Sequence, residues 1–462
     1  MITEGSYPYT FGGVSSWAHN YIKAMPQHEF VLWVIGAKAS DKGKFKYDLP
    51  ENVVGVYEVF LDDALKIKAN KKDKFVFSDD EILTLEKFID CEKPDWDILF
   101  EMFQIRHYNP ASFLMSDIFL DVLIKLCKEK YPYVAFAETF HTIRSMLIPV
   151  LHIIGSEIPA ADEYHTVCTG YGGLLAAVAN YVTGKPVILT EHGIYSRERE
   201  EEIIRARWVI PAFKRHWIKF FYMLSDAIYQ RAVYITCLFG NASKTQIELG
   251  ASPQRCRVIP NGIHYDKFCN IPLKEENGIV DIAAVIRLAP IKDVKTLIYA
   301  FNELKGMRDN VVLHILGGTD NEEYAQECYD LVKTLGLKDI KFVGQVNVIE
   351  YMEKIDFTIL TSISEGQPLS VLESFAARRP AVTTDVGCCR ALIDGEEGDY
   401  FGTAGFCVAP MHREGLAIAM DKLCESRSLR EEMGRIGQER VNKYFRHEEM
   451  IKRYASLYDE AI

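Results

Sequence analysis

One stretch constrains this chain more than any other: Asp356-Phe-Thr-Ile-Leu-Thr-Ser-Ile-Ser-Glu-Gly-Gln-Pro-Leu-Ser-Val-Leu-Glu-Ser-Phe-Ala-Ala-Arg-Arg-Pro380. The apolar, β-branched run Phe357–Leu360 predicts a buried strand. It breaks at Ser-Glu-Gly, and Pro368 suits the first turn of a helix, where its missing N–H costs nothing. Strand, tight loop and helix start, in that order, are how α/β sheets present an anion or nucleotide site. Two carboxylates lie eight positions apart, Glu365 in the loop and Glu373 just over a turn into the helix. Between them the free N–H groups of Leu369 and Ser370 stand at the positive end of the helix dipole. Two surface glutamates on an ordinary helix have the same spacing, so a ligand site here requires a phosphate clamp and a second domain elsewhere in the chain.

Length and composition allow that second domain. With 462 residues, 48% of them hydrophobic, the chain can bury two substantial cores. No apolar run reaches the roughly 18 residues of a membrane span, and the start, Met-Ile-Thr-Glu-Gly-Ser, lacks the basic end and apolar core of a secretory signal. Eleven cysteines without a CxxC pair predict no disulfide framework and point to a reducing cytoplasm. The vicinal Cys388-Cys389 fits either a soft metal or two small residues after a strand. A net charge of −12 disfavours nucleic acid, so a negatively charged ligand needs a local cationic clamp.

Cations stand at such a place. Val280–Val285 predicts a strand, followed by Arg287-Leu-Ala-Pro-Ile-Lys-Asp293 and a helix. Arg287 and Lys292 can converge on one diphosphate around the Pro turn, the Arg by forked hydrogen bonds and the Lys as a point charge, or remain two solvated cations. Gly317-Gly318 follows another strand, Val311–Leu316. Nearer the start, Gly12-Gly13 precedes a helix expected from about Ser15 and would let backbone approach a phosphate. The strand before it, Met1 to Thr3, looks short, as a clipped start or a frayed edge of the first sheet would. Strands are expected at Phe30–Ile35, Val53–Phe60, Tyr164–Thr169 and Val187–Thr190, with mostly helix over 61–155. His192-Gly193 ends the last of these strands. The following Arg197-Glu198-Arg199-Glu200 either orients an acceptor or forms ion pairs at a helix start. Over 201–235, Trp217, Phe220, Phe221 and Leu224 have helical spacing, which suits a core face or a membrane-surface or docking face.

In chain order these motifs resemble the retaining glycosyltransferases of the GT-B fold, family four, over nearly the whole chain. The resemblance implies two Rossmann-like domains facing a central cleft: 1–270 on the acceptor side and 271–440 on the nucleotide-sugar side, joined by a linker near 264–277. A C-terminal helix, 441–462, crosses back to the first domain, with Tyr454 and Leu457 packing there. It further implies that Glu365 contacts the transferred sugar, Glu373 the ribose hydroxyls, and the backbone at Val346 the nucleobase edge. Arg287, Lys292 and the amides of Leu369 and Ser370 hold the diphosphate, His192 lies near the donor sugar, and Gly12, Gly13 and Gln367 complete the donor set. Glu365, His192, Arg287 and Lys292 form the catalytic group.

The implied reaction moves a hexose or N-acetylhexosamine from UDP-glucose or UDP-N-acetylhexosamine to a growing exopolysaccharide or another glycan acceptor. The UDP-sugar is a co-substrate, and no other cofactor is expected. With no Asp-x-Asp motif at a suitable strand end, no divalent metal is expected either. Thr-Glu-Gly-Ser-Tyr-Pro-Tyr, Gly-Gly-Val-Ser-Ser-Trp, Glu-His-Gly-Ile-Tyr-Ser-Arg-Glu-Arg and Pro-Ile-Lys-Asp-Val-Lys-Thr-Leu resemble the branch of the family that makes the Pel exopolysaccharide of bacterial biofilms. That branch implies a cytoplasmic protein working at the inner face of the membrane with integral partners. Three alternatives share the fold: a UDP-N-acetylglucosamine 2-epimerase, a sucrose- or glycogen-synthase-like enzyme with another acceptor, and a non-catalytic UDP-sugar-binding subunit of a membrane assembly.

Overall fold

The structure is a computed structural model that describes residues 1–461. The chain forms two compact units, one of Met1–Val258 with the segment from Tyr454 onward, the other of Ile259–Arg453.

The first unit is built on seven parallel strands: β1 (Ile2–Glu4), β2 (Phe30–Gly36), β3 (Val53–Phe60), β4 (Tyr164–Thr166), β5 (Val187–Glu191), β6 (Tyr234–Cys237) and β7 (Cys256–Val258), in the order β3-β2-β1-β4-β5-β6-β7. Parallel strands need long crossovers, and helices supply them on the sheet faces. The interior strands are accordingly buried, polar residues included; all five residues of β5, Val187-Ile-Leu-Thr-Glu191, are buried. β1 is short but not a frayed edge. Ile2 pairs with Trp33 of β2 and with Thr166 of β4, so the strand lies inside the sheet. Its three residues carry no sign of which neighbours they meet, because crossover order places them. The first helix, Gly13–Lys23, begins two residues before the position expected from sequence.

The second unit carries six parallel strands: β8 (Val280–Val285), β9 (Val311–Leu316), β10 (Ile340–Gly344), β11 (Phe357–Leu360), β12 (Ala381–Thr384) and β13 (Gly405–Val408), ordered β10-β9-β8-β11-β12-β13. From β8 the chain steps to β9 on one side, and from β11 to β12 on the other. Right-handed crossovers therefore send the two following helices to opposite faces, leaving a crevice beyond the C-terminal ends of β8 and β11. β1 and β4 make the equivalent reversal in the first unit.

Residues 264–277, which read as a linker, are tied to the second unit. The buried Arg379 guanidinium donates to the Ile271 carbonyl at 3.4 Å and the Pro272 carbonyl at 2.6 Å. Lys274 pairs with Asp281 at 2.5 Å and Asp356 at 2.9 Å. The tail is two helices rather than one, Arg427–Tyr444 and His447–Ala461. The break coincides with a backbone bridge between Arg446 and Ile263. On the last helix Tyr454 and Leu457 are buried. Its polar groups enter the first unit: Tyr458 Oη lies 2.7 Å from His165 Nδ1, and Tyr454 Oη lies 3.2 Å from Thr236 Oγ1. Among the described residues no helix is long and apolar enough to cross a membrane.

Candidate active site

In the second unit the loops after β8 and β11 are stitched together at the reversal of strand order. Ile363 N–H donates to the Ile291 carbonyl at 2.9 Å, and Thr361 Oγ1 to the Lys292 carbonyl at 3.0 Å. Lys292 ends a 3-10 turn that begins at Pro290. Asp293 follows in the left-handed region (φ 47°), and its side chain caps the helix Val294–Met307. This geometry brings Lys292 Nζ to 2.5 Å from Glu365 Oε1, which also accepts from Ser362 Oγ at 2.5 Å. The pair is largely buried, with side-chain exposures of 19% for Lys292 and 12% for Glu365. A buried ion pair must repay the desolvation of both groups, and the Ser362 hydroxyl helps by occupying a carboxylate lone pair. Nζ keeps further donor capacity for an anion.

The rest of this loop is equally constrained. Gly387 (φ 55°) has no room for a side chain, since a Cβ would strike the carbonyls of Glu365 and Gly366. Cys388 N–H donates to the Gly366 carbonyl at 3.0 Å. Pro368 is the residue before the helix rather than its first, and Leu369–Ala376 follows with Leu369 39% exposed. The N–H end of this helix thus lies beside the ion pair. Glu373 is one turn in, and burial pushes its carboxyl up to about 7.

Two expected donor residues are used differently. Arg287 does not converge with Lys292: it is 58% exposed and its guanidinium takes Asp320, at 2.5 Å. Each cation has found its own carboxylate, which removes their mutual repulsion. Gln367 faces inward, 7% exposed, its carboxamide oxygen accepting the Asn261 N–H at 2.7 Å. Val346 is half-buried in the loop after β10. Gly317 owes its identity to packing, because a Cβ there would meet the Ile286 carbonyl as the loop before Arg287 passes.

In the first unit His192 follows β5 with its ring 4.7 Å from that of Trp17, edge to face. Burial lowers its imidazole to about 4, so the ring is neutral at pH 7. Its Nε2 and the Trp17 Nε1 are both buried with no hydrogen-bond partner. Glu198 folds back onto Gly193, into the space a side chain there would take, and burial raises the Glu198 carboxyl. The other charges of that run pair along the helix Tyr195–Arg205, Arg199 with Glu202 at 2.6 Å and Arg197 with Glu200 at 3.9 Å. Gly12 and Gly13 have open space around them, and the φ of 172° at Gly12 is ordinary extended backbone. The 201–235 stretch is divided. Phe220 and Leu224 belong to the core with Trp217 and Phe221 packed against it, while Ile204 and Trp208 are exposed (57% and 65%).

Sequence reasoning missed Glu191. It is buried and accepts from Thr169 Oγ1 at 2.5 Å, Tyr229 Oη at 2.7 Å and Gln246 Nε2 at 2.9 Å. These bonds lock the end of β5 and with it the backbone that carries His192. A glutamate inside an apolar strand was the available signal.

Comparison with known proteins agrees with this architecture. Residues 1–254 match the model of a domain of unknown function, DUF3492, and residues 272–440 that of glycosyl transferases group 1. An MMP α-(1→4)-mannosyltransferase of Mycolicibacterium hassiacum is 24% identical over 299 residues, which cover 64% of this chain and 69% of that protein. The capsular polysaccharide biosynthesis glycosyltransferase CapM of Staphylococcus aureus is 23% identical over 63% of this chain and 75% of its own length. Among solved structures, Anabaena HepE in complex with UDP superposes with a TM-score of 0.61 at 13% identity, over 99% of both chains. Sucrose-phosphate synthase from Thermosynechococcus elongatus gives 0.61 at 15% identity, covering 99% of this chain and 98% of that one. The chain belongs to the DUF3492 family, whose model covers residues 1–254, matches glycosyl transferases group 1 over residues 272–440, and has the GT-B fold.

Proposed function

We propose that the protein transfers a hexose or N-acetylhexosamine from a UDP-sugar to a glycan acceptor, with retention of configuration and without a metal ion. The observation that carries this reading is the Lys292–Glu365 pair, set beside the N–H end of the helix Leu369–Ala376 where the strand order reverses. UDP bound to HepE supports the choice of nucleotide. As the bond from C1 to the β-phosphate breaks, negative charge grows on the phosphate, and Lys292 and the helix amides stabilise it. Arg287, exposed and paired only at the surface, exchanges Asp320 for the phosphate. The departing phosphate oxygen takes the proton of the acceptor hydroxyl as the new C1–O bond forms on the same face. Glu365 orients sugar hydroxyls. Glu373, titrating near neutrality, binds the ribose hydroxyls as donor or acceptor. In the first unit the neutral His192 keeps a buried Nε2 without a protein partner, chemistry suited to a sugar hydroxyl.

The motif wording supports a PelF-like role in exopolysaccharide synthesis, at the inner face of the cytoplasmic membrane with integral partners. UDP release by the purified protein tests the reaction, measured against a panel of nucleotide sugars with and without EDTA, beside Arg287→Ala and Glu373→Ala. Release from one or two UDP-hexoses, insensitive to EDTA and lost in both variants, is expected. UDP binding without release from any donor and acceptor tried would favour a binding subunit; no UDP binding at all would overturn the reading.

A further inference from the structure

Gln367 stands midway between Glu365 and Leu369, in the loop that presents the proposed donor groups, yet its side chain leaves that surface. Its Oε1 accepts the Asn261 N–H at 2.7 Å, and both residues are more than nine-tenths buried. Asn261 lies just inside the point, Ile259, where the chain enters the second unit. The next residues are paired with the segment that leads toward the last helix: Ile263 N–H donates to the Phe445 carbonyl at 2.9 Å, and His447 N–H to the Ile263 carbonyl at 2.9 Å. Arg446 adds an ion pair to Asp266 at 3.0 Å. The stretch just after the chain enters the second unit and the stretch a few residues before it leaves therefore meet in one short ladder within that unit, and Gln367 ties the donor loop to it.

We infer that Gln367 is a positioning residue whose carboxamide oxygen latches the donor loop to this ladder, so that nucleotide binding at the loop is transmitted to Asn261. Elsewhere the loop is held by backbone contacts, Cys388 N–H to Gly366 and the close approach of Gly387, and by the side-chain bonds of Lys292 and Ser362 to Glu365. The Gln367 bond is made by a side chain and can be cut without altering the backbone. Cutting it strands a buried amide, a state that proteins avoid. Only an acceptor serves at this position, so glutamate can replace glutamine and an apolar residue of similar size cannot.

The inference rests on the loop being the donor site, and hydrogen exchange of the full chain separates the two claims. Peptides covering 259–263 are followed with and without UDP in the native protein and in Gln367→Leu, Gln367→Met and Gln367→Glu. Without UDP, Asn261 exchanges about tenfold faster in the Leu and Met variants, the loss of one buried bond, and at the native rate in the Glu variant. UDP slows exchange there in the native and Glu proteins only. Turnover falls about tenfold in the two apolar variants and recovers in the Glu variant, which a general loss of stability would not produce. Native exchange at Asn261 in the apolar variants overturns the latch, as does undiminished UDP protection there. If the native protein ignores UDP, the donor-site reading falls, while the ligand-free exchange still decides whether the latch exists.

Discussion

The loop after β11 and the turn after β5 each end a buried parallel strand, but they are built on different physics. Around Glu365 the groups that face the loop have protein partners, Lys292 and Ser362 on the carboxylate, Cys388 on Gly366 and Asn261 N–H on Gln367, while Asp293 Oδ2 and Asn261 Oδ1 at its margin are buried without one. Around His192 the partners stop short of the tip. Glu191 is fully bonded, whereas His192 Nε2, Trp17 Nε1 and Ser196 Oγ are buried and unpartnered. The first place is charged and held in position. The second is neutral, aromatic and polar without internal satisfaction. A site that must meet charge developing on a phosphate gains from fixed ions. One that recognises sugar hydroxyls gains from free neutral donors and acceptors.

Breaking the charged side should have the largest effect. Lys292→Ala removes the cation and leaves the largely buried Glu365 with the Ser362 hydroxyl but no counter-charge, so kcat/KM should fall roughly 10²–10³-fold, with a lowered Tm; steady-state UDP release and a thermal melt measure both. His192→Phe on the neutral side removes a hydrogen-bonding group but no charge, and turnover should drop about tenfold to a hundredfold. Because the His192 imidazole titrates near 4, the pH–rate profile between 6 and 8 should keep its shape in this variant. A change of shape there would mean that His192 carries charge in the reaction.

Glu373 tests the contrast through stability. Its folded carboxyl titrates near 7 against 4.5 when unshifted. Between these values the folded chain holds more protons than the unfolded one, so this group makes stability fall as pH rises from about 4.5 to about 7, and the penalty then stays constant. Glu373→Gln should raise Tm at pH 8 by a few degrees, for roughly 3 kcal/mol, and have no such benefit at pH 4.5. The smallest structural effect belongs to Arg287→Ala. Its exposed pair with Asp320 contributes under about 1 kcal/mol, so Tm should hardly move even as UDP affinity, read by calorimetry, declines. A large Tm loss would place Arg287 among the structural ions.

Much of this was legible before folding was considered. Val280–Val285, Val311–Leu316 and Phe357–Leu360 are strands over the residues their mostly apolar runs mark, because strands buried on both faces are nearly continuous apolar runs, interrupted here by the hydrogen-bonded Asp281, His314 and Thr358. Glu365, Lys292 and the start of the next helix were legible as well, since strand end, turn and helix start are local events. The interior place of β1 was not, nor the partners of Arg287 and Gln367. Each depends on a residue far along the chain, Thr166, Asp320 or Asn261.

By itself the sequence determined, to within a few residues, where strands end and helices begin, and which charged residues those ends carry, through hydrophobic period and turn chemistry. Tertiary structure alone decided which of these charges meet. Lys292 reaches Glu365 because β8 and β11 are neighbours, although 73 positions separate the two residues. Arg287, only five positions from Lys292, takes Asp320 instead. Pairing is settled by sheet order and by the cost of leaving a charge without a partner, and neither is written in local spacing.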